Sequence, residues 1–387
     1  MVKEILMMLS KIRFGRLRYL VAALLLTSHV SMAAADHVFK SRDHAYRPVT
    51  LASGLNQPWG MAFLPGNQGV LITEKVGKIR IYREGLQPKV ISGGPNATEF
   101  GQGGLLDIAV HPNFTRNGYV FFSYVGRHGL GLGTELARAV FADDEFKDLR
   151  ILFKAKPKAF GGRHFGSRLV FDGAGHLFLT LGDRGNRYEA QNLSTHEGTV
   201  LRFTADGDIP RDNPFLGKPG ALPEIYSYGH RNVQGAVLHP ETGELWTHEH
   251  GPQGGDEVNI IRRGANYGWP VITYGEEYGG GTVSNLSEKE GMEQPVVYWV
   301  PSIAPSGMTF YTGNKFPKWN GNLFVGALRG AHLRRVTLEN EKVTDQEELL
   351  SNLDERIRDV RNGPDGYLYI ITDSSNGRLI RLEPALD

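Results

Sequence analysis

The chain has 387 residues, 40% of them hydrophobic and 10% aromatic, which is enough apolar material for a sizeable core and too much for a disordered chain. Cysteine is absent, so disulfides, thiol catalysis, iron–sulfur clusters and thiolate zinc sites are excluded. The formal charge of +1 belongs to the N-terminus: residues 1–35 carry five of the 43 Lys and Arg and one of the 42 acids, leaving −3 on the remainder and no electrostatic motive for nucleic-acid binding.

In chain order, the first element reads as an export signal. Lys11, Arg13, Arg16 and Arg18 precede an apolar stretch beginning at Tyr19–Leu26, and Ser31-Met-Ala-Ala-Ala35 offers small-residue cleavage positions. The uninterrupted apolar run is shorter than the ~20 residues of a membrane span and is broken by Ser28 and His29. The expected division is a signal peptide over 1–35 and one domain over 36–387, exported and not membrane-spanning.

From residue 69 onward one local pattern returns: a turn glycine, then a short aromatic and β-branched or aliphatic run. It reads Gly69-Val-Leu-Ile-Thr, Gly118-Tyr-Val-Phe-Phe, Gly175-His-Leu-Phe-Leu-Thr, Gly243-Glu-Leu-Trp-Thr, Gly321-Asn-Leu-Phe-Val and Gly366-Tyr-Leu-Tyr-Ile-Ile-Thr. No comparably long segment has the apolar spacing of an amphipathic helix. The 49 glycines and 20 prolines imply many turns and therefore many short strands. The spacing predicts an all-β fold of radially repeated four-stranded sheets, with long loops near 205–225 and 272–295 and a further loop near 126–134; a β-sandwich or two smaller β-domains is the alternative.

In a propeller, loops far apart in sequence meet at the axis, so scattered polar residues can share a site. His164 lies in the glycine-flanked turn Phe160-Gly-Gly-Arg-His-Phe-Gly-Ser-Arg168. One hairpin later comes Leu179-Thr-Leu-Gly-Asp183-Arg-Gly, whose carboxylate can hold the imidazole in its basic tautomer, or can be a turn residue. Arg231, Arg329, Arg356 and Arg358 sit at strand ends or turns, with Asn232 beside the first. Arg356 and Arg358 share one face of an extended segment. Singly each is an ordinary solvated residue; together they suit a ligand with several carboxylates.

The segment His248-Glu-His-Gly251-Pro252-Gln-Gly-Gly-Asp256-Glu257 is rich in oxygen donors. His248 and His250 lack a third zinc ligand, and the segment suits calcium better. Asp206-Gly-Asp208 reads as a calcium-like fragment or a plain turn.

The string Gly101-Gln102-Gly-Gly-Leu-Leu-Asp-Ile-Ala-Val-His-Pro-Asn-Phe114 resembles the pyrroloquinoline-quinone-dependent soluble aldose and glucose dehydrogenases, the glucose/sorbosone dehydrogenase family. The turns around His164, Asp183, Arg231-Asn232, Gly251-Pro252, Glu257, Asn266-Tyr267-Gly-Trp269 and Arg356-Ile-Arg358-Asp359 extend the resemblance, in order, over about residues 48–383. It is nearest the bacterial periplasmic aldose sugar dehydrogenase branch.

The resemblance implies a six-bladed β-propeller of four-stranded antiparallel sheets, located in the periplasm, with pyrroloquinoline quinone (PQQ) on the axis. It implies that His164 is the general base for an aldose's anomeric hydroxyl, oriented by Asp183. Gln102, Arg231, Asn232, Arg329, Arg356 and Arg358 would hold the cofactor. Arg329 stands where several relatives carry lysine, which keeps the charge and changes the donor geometry. The carbonyls of Gly251 and Pro252 would bind a calcium ion, and Glu257 with the backbone of Tyr267 a second, structural one. The expected partners are an aldose substrate and an electron acceptor that the sequence leaves unnamed, for a monomer or weak dimer. The competing functions are a calcium-dependent lactonase-type propeller and a non-catalytic sugar- or protein-binding propeller.

Overall fold

The glycine that opens each repeat is the pivot of a hairpin. Gly69, Gly118, Gly175, Gly243, Gly321 and Gly366 all adopt positive φ, between 64° and 127°, a conformation that costs other L-residues energy. The run after each glycine is the second strand of a sheet. These strands are buried on both faces, as the unbroken burial of Leu177–Thr180, Leu323–Ala327 and Leu368–Thr372 shows. That explains why they read as continuous apolar runs instead of alternating ones.

The computed structural model describes residues 37–385; the export signal expected at 1–35 lies outside the described residues. From Phe39 onward the chain forms six antiparallel sheets. The first blade begins with Pro58–Leu64 and Gly69–Glu74, the second with Leu105–Val110 and Tyr119–His128, and the third with Leu169–Phe171 and Leu177–Thr180. The fourth begins with Val233–Leu238 and Leu245–Glu249, the fifth with Pro305–Phe310 and Leu323–Ala327, and the sixth with Ile357–Asn362 and Leu368–Thr372. The first strands touch one another in succession, sixth to first included, so they surround the axis. This is the expected six-bladed β-propeller.

Closure of the ring comes from the N-terminal side. Ala45–Leu55 pairs antiparallel with the last strand, Gly377–Pro384, in a register from Tyr46 opposite Pro384 to Leu55 opposite Gly377. Separate apolar clusters then fill the gaps between neighbouring blades. Leu71 and Ile81 of the first blade meet Phe122 and Ala137 of the second, while Tyr369 and Leu379 of the sixth meet Met61 and Ile72 of the first. Each blade is thus held by its neighbours, and the outermost strands are left to solvent, as in the mostly exposed Glu145–Lys154.

The long loops expected near 205–225 and 272–295 are present, within the connections from Phe203 to Ile225 and from Ile261 to Val297. Residues 126–134, expected as a loop, are the tip of a hairpin in which Tyr119–His128 pairs with Gly131–Ala142. Among the described residues the α-helix content is one turn, Phe114–Asn117, and no helix is long and apolar enough to cross a membrane.

Candidate active site

Because consecutive strands are antiparallel, first strands begin and second strands end on the same face of the propeller. That face carries a cavity of about 290 Å³ to which every blade contributes. Strand starts supply Gln57, Trp59, Gln102, Gly166, Asn232, Arg356 and Arg358; strand ends supply Lys75, His250, Leu328 and Asp373. The cations Lys75, Arg356 and Arg358 outnumber the one carboxylate, Asp373, among these lining residues.

Asp373 organises the arginines. Its Oδ2 accepts from Nε and Nη2 of Arg356 at 2.9 and 2.6 Å and lies 3.2 Å from Nη2 of Arg358. Burial opposes the charge on Asp373, but the two guanidiniums outweigh it and hold the carboxyl below its ordinary value. The Nε of Arg358 is buried with no hydrogen-bond partner, so this pocket is short of an acceptor.

Below the cavity a charged quartet closes the axis, with Arg168, Asp107 and Asp359 buried and Arg361 half-buried. Arg168 lies 3.2 Å from Asp107 and 3.1 Å from Asp359, and Arg361 bridges the same two carboxylates at 3.2 and 3.0 Å. Two cations and two anions cancel there, so the positive excess belongs to the cavity above.

His164 stands beside this cavity, on the turn whose next residues, Phe165 and Gly166, line it. Two glycines let its neighbours approach. A Cβ on Gly101 would lie 2.3 Å from the carbonyl oxygen of Gly162, and one on Gly182 2.4 Å from that of His164. The His164 backbone N–H donates to Gln102 Oε1 at 2.7 Å, and its Nδ1 lies 2.6 Å from Asp183 Oδ1. Asp183 is buried and also accepts from the Gly185 amide at 2.7 Å and from Trp269 Nε1 at 2.8 Å.

Burial disfavours the charge on Asp183, yet the bonds from His164 and Gly185 and the charge of Arg231 hold its pKa down. An ionised carboxylate only accepts, so Nδ1 carries the proton and Nε2 is the basic nitrogen. Burial lowers the pKa of His164, with Asp183 opposing and Arg231 assisting, so the imidazole is neutral at pH 7. The arrangement can remove a proton from a hydroxyl placed against Nε2.

A profile of the family described as "Glucose / Sorbosone dehydrogenase" matches residues 55–381. The chain belongs to this family. It is 45% identical over 341 residues to the aldose sugar dehydrogenase YliI of Escherichia coli K12, covering 86% of this chain and 92% of that protein. The apo-form crystal structure of the soluble aldose sugar dehydrogenase from Escherichia coli superposes with a TM-score of 0.86 at 42% identity, covering 88% of this chain and 100% of that one. The PQQ-bound aldose sugar dehydrogenase of Streptomyces coelicolor superposes at 0.72 and 29% identity, covering 86% and 96%.

As a glucose/sorbosone dehydrogenase, the chain places its sequence-predicted cofactor residues unequally. Gln102, Asn232, Arg356 and Arg358 line the cavity. Arg231 is adjacent, bonding the His250 carbonyl at 3.0 Å with its guanidinium 5.3 Å from the centroid of the Trp269 ring. Arg329 is not among the lining residues. It is exposed and borders a separate groove with Trp299 and His332, while its neighbour Leu328 faces the cavity. The cause is local: the strand ends at Ala327, the backbone amides of Leu328 and Arg329 are fixed by the carbonyls of Ala304 and Ile303, and the bend formed there carries the two side chains to different places.

The oxygen-rich segment divides into two places. Gly251 and Pro252 are buried, and no hydrogen bond among the described residues uses their carbonyl oxygens. The second place holds Glu249 and Glu257 with Asn259, whose amide nitrogen lies 3.5 and 3.4 Å from the two carboxylates. The Asn259 Oδ1 is buried and unpartnered, and burial with the neighbouring charge of Glu249 pushes the Glu257 carboxyl above its ordinary value. Two crowded carboxylates with an orphaned amide oxygen form a donor set that fits a hard cation.

Tyr267 adjoins this place, its ring stacked on His230 at 4.6 Å and its hydroxyl donating to the Ile260 carbonyl. The two histidines do not form a metal site: His250 Nε2 is spent on the Pro305 carbonyl at 2.6 Å, and no group of three or more His, Asp or Glu converges among the described residues. Asp206 pairs with Arg138 at 2.5 Å and belongs to a turn closed by Thr204 and Asp208.

Sequence reasoning missed Trp59, Lys75 and Asp373, and gave Trp269 a place in a motif but no contact with Asp183. One signal was present for Asp373, since it follows the Ile-Ile-Thr end of the last repeat much as Asp183 follows Leu179-Thr180.

Proposed function

We propose that this protein is a quinoprotein oxidising the anomeric carbon of an aldose to the lactone. The observation that carries the proposal is the His164–Asp183 pair, with Nε2 unencumbered, beside an axial cavity whose cations outnumber its acid. The arginine pair, the orphaned Arg358 Nε and the amide side chains of Gln102 and Asn232 fit a planar ligand with three carboxylates, and the PQQ-bound relative supports the same assignment.

Gln102, Asn232, Arg356 and Arg358 would hold the cofactor, with Arg231 at its edge; Arg329 is the least supported contact because its side chain borders another groove. When bound, PQQ supplies the two-electron acceptor for the hydride, and calcium on the carbonyls of Gly251 and Pro252 supplies charge that favours the transfer. His164 Nε2 takes the proton from the anomeric hydroxyl. Asp183 keeps Nδ1 protonated and steadies the imidazolium that forms. Glu257 and the backbone of Tyr267 would bind a second, structural calcium ion, to which the orphaned Asn259 oxygen can contribute. The segment 1–35 would direct the protein to the periplasm.

Titration of the purified apo-protein with PQQ, with and without calcium, tests the assignment through quenching of tryptophan fluorescence. Saturable one-to-one binding is expected. His164→Ala should bind equally well while losing turnover by about 10²–10⁴-fold. Absence of binding overturns the proposal.

A further inference from the structure

His164 is carried by an exposed, glycine-rich turn, and its own φ is 54°, an uncommon conformation for a residue with a Cβ. A general base on such a turn acts only if the backbone on both sides is fixed. Asp183 holds the ring, and Gln102 holds one stretch of backbone, its Oε1 on the His164 amide and its own amide donating to the Gly162 carbonyl at 2.6 Å. Arg184 takes the two carbonyls on either side of that last contact. With φ 57° it turns back beneath the loop, where Nη2 donates to the Gly161 carbonyl at 2.8 Å and Nη1 donates to the carbonyl of Arg163.

The same guanidinium lies over the Phe165 ring, 3.5 Å from its centroid. Gly161, Arg163 and Phe165 bracket His164, so one side chain grips the turn on both sides of the base. Arg184 is 8% exposed. Burial lowers its pKa to about 10, with the charges of Glu197 and Asp183 opposing, so it remains a cation at neutral pH. A planar fork can bond two carbonyls and stack on a ring at once, whereas a lysine ammonium cannot do all three.

We propose that Arg184 is a positioning residue for the base: Asp183 fixes the imidazole of His164 and Arg184 fixes the backbone that carries it. The proposal rests on His164 acting as the base. A purely structural arginine would lower stability without singling out this turn or the proton-transfer step.

The experiment uses Arg184→Lys and Arg184→Gln in the complete protein, with three readouts. In the apo-protein, trypsin should cut after Arg163 about tenfold faster than in wild type, since proteolysis follows the open population of a loop. With PQQ and calcium bound, kcat should fall roughly 10–100-fold, the effect of a displacement near 1 Å, while PQQ affinity stays within about threefold. In a His164→Ala background Arg184→Gln should cost no further kcat, because there is no base left to position.

Unchanged cleavage together with unchanged kcat overturns the proposal, as does an equal loss in the His164→Ala background or a fall in PQQ affinity that parallels kcat. Faster cleavage in a protein whose wild type oxidises no sugar would retain the anchoring of the turn and reject its catalytic purpose. If Arg184→Gln fails to fold, Arg184→Lys carries the same outcomes.

Discussion

Asp183→Asn is the most informative single change, because every contact of that carboxylate is a donor. Oδ1 receives His164 Nδ1 and the Gly185 amide, at 2.6 and 2.7 Å, and Oδ2 receives Trp269 Nε1 at 2.8 Å. An asparagine has one acceptor end. With its oxygen toward His164, the new NH₂ faces the indole N–H; flipped, it faces both Nδ1 and Gly185. The first placement leaves a buried donor unsatisfied, at about 1–3 kcal/mol. The second forces the proton from Nδ1 to Nε2 and removes the base.

Turnover should therefore fall by about 10²–10⁴-fold. The sign of the pH effect is also fixed. Burial lowers the pKa of His164 and Asp183 raises it, so removing that charge lowers it further. The acid limb of kcat/KM should move to lower pH even as activity drops. Stopped-flow dye reduction between pH 5 and 8, on enzyme shown to bind PQQ normally, measures both effects. Activity within about threefold of wild type, or an acid limb moved to higher pH, would refute the dyad.

Arg358→Gln should weaken PQQ about 10–100-fold by calorimetry, the value of one charge-assisted hydrogen bond of roughly 1.5–3 kcal/mol; unchanged affinity would remove Arg358 as an anchor. Glu197 is pushed up to about 7 by burial and by the charge of Glu189. A raised carboxyl favours the folded state below its ordinary value of 4.5, and that contribution is lost as pH rises through about 7. Glu197→Gln should thus gain stability relative to wild type between those limits and stay level above them in urea unfolding; a difference independent of pH contradicts the shift. Glu257→Gln should stabilise the calcium-free protein and abolish its stabilisation by calcium, because it removes one of two crowded carboxylates; calcium protection that persists would place the ion elsewhere.

The parts legible in the sequence are those whose physics is local. The second strand of each blade is sandwiched on both faces and announced by a left-handed glycine, so the six runs from Gly69 to Gly366 stood out. The outermost strands, such as Glu145–Lys154, are exposed and carry no apolar signature, and residues 126–134 read as a loop because Gly126, Gly129, Gly131 and Gly133 mask a hairpin. His164 and Asp183 were readable because 19 residues and one hairpin separate them. Trp269 was not, being 86 residues from the carboxylate it supports. Asp373 and Arg184 act through contacts between loops that no periodicity encodes. Arg329 stands just past a strand end, where its side chain borders a different groove, a direction that sequence position does not encode.

The central claim is sugar oxidation at the axial cavity, and reconstitution tests it most directly. Apo-protein receives calcium, PQQ, both or neither, followed by glucose and a dye acceptor. Dye reduction that requires both additions, with lactone as product, is the predicted result. Lactone hydrolysis without PQQ, or no sugar oxidation when both are present, would contradict it.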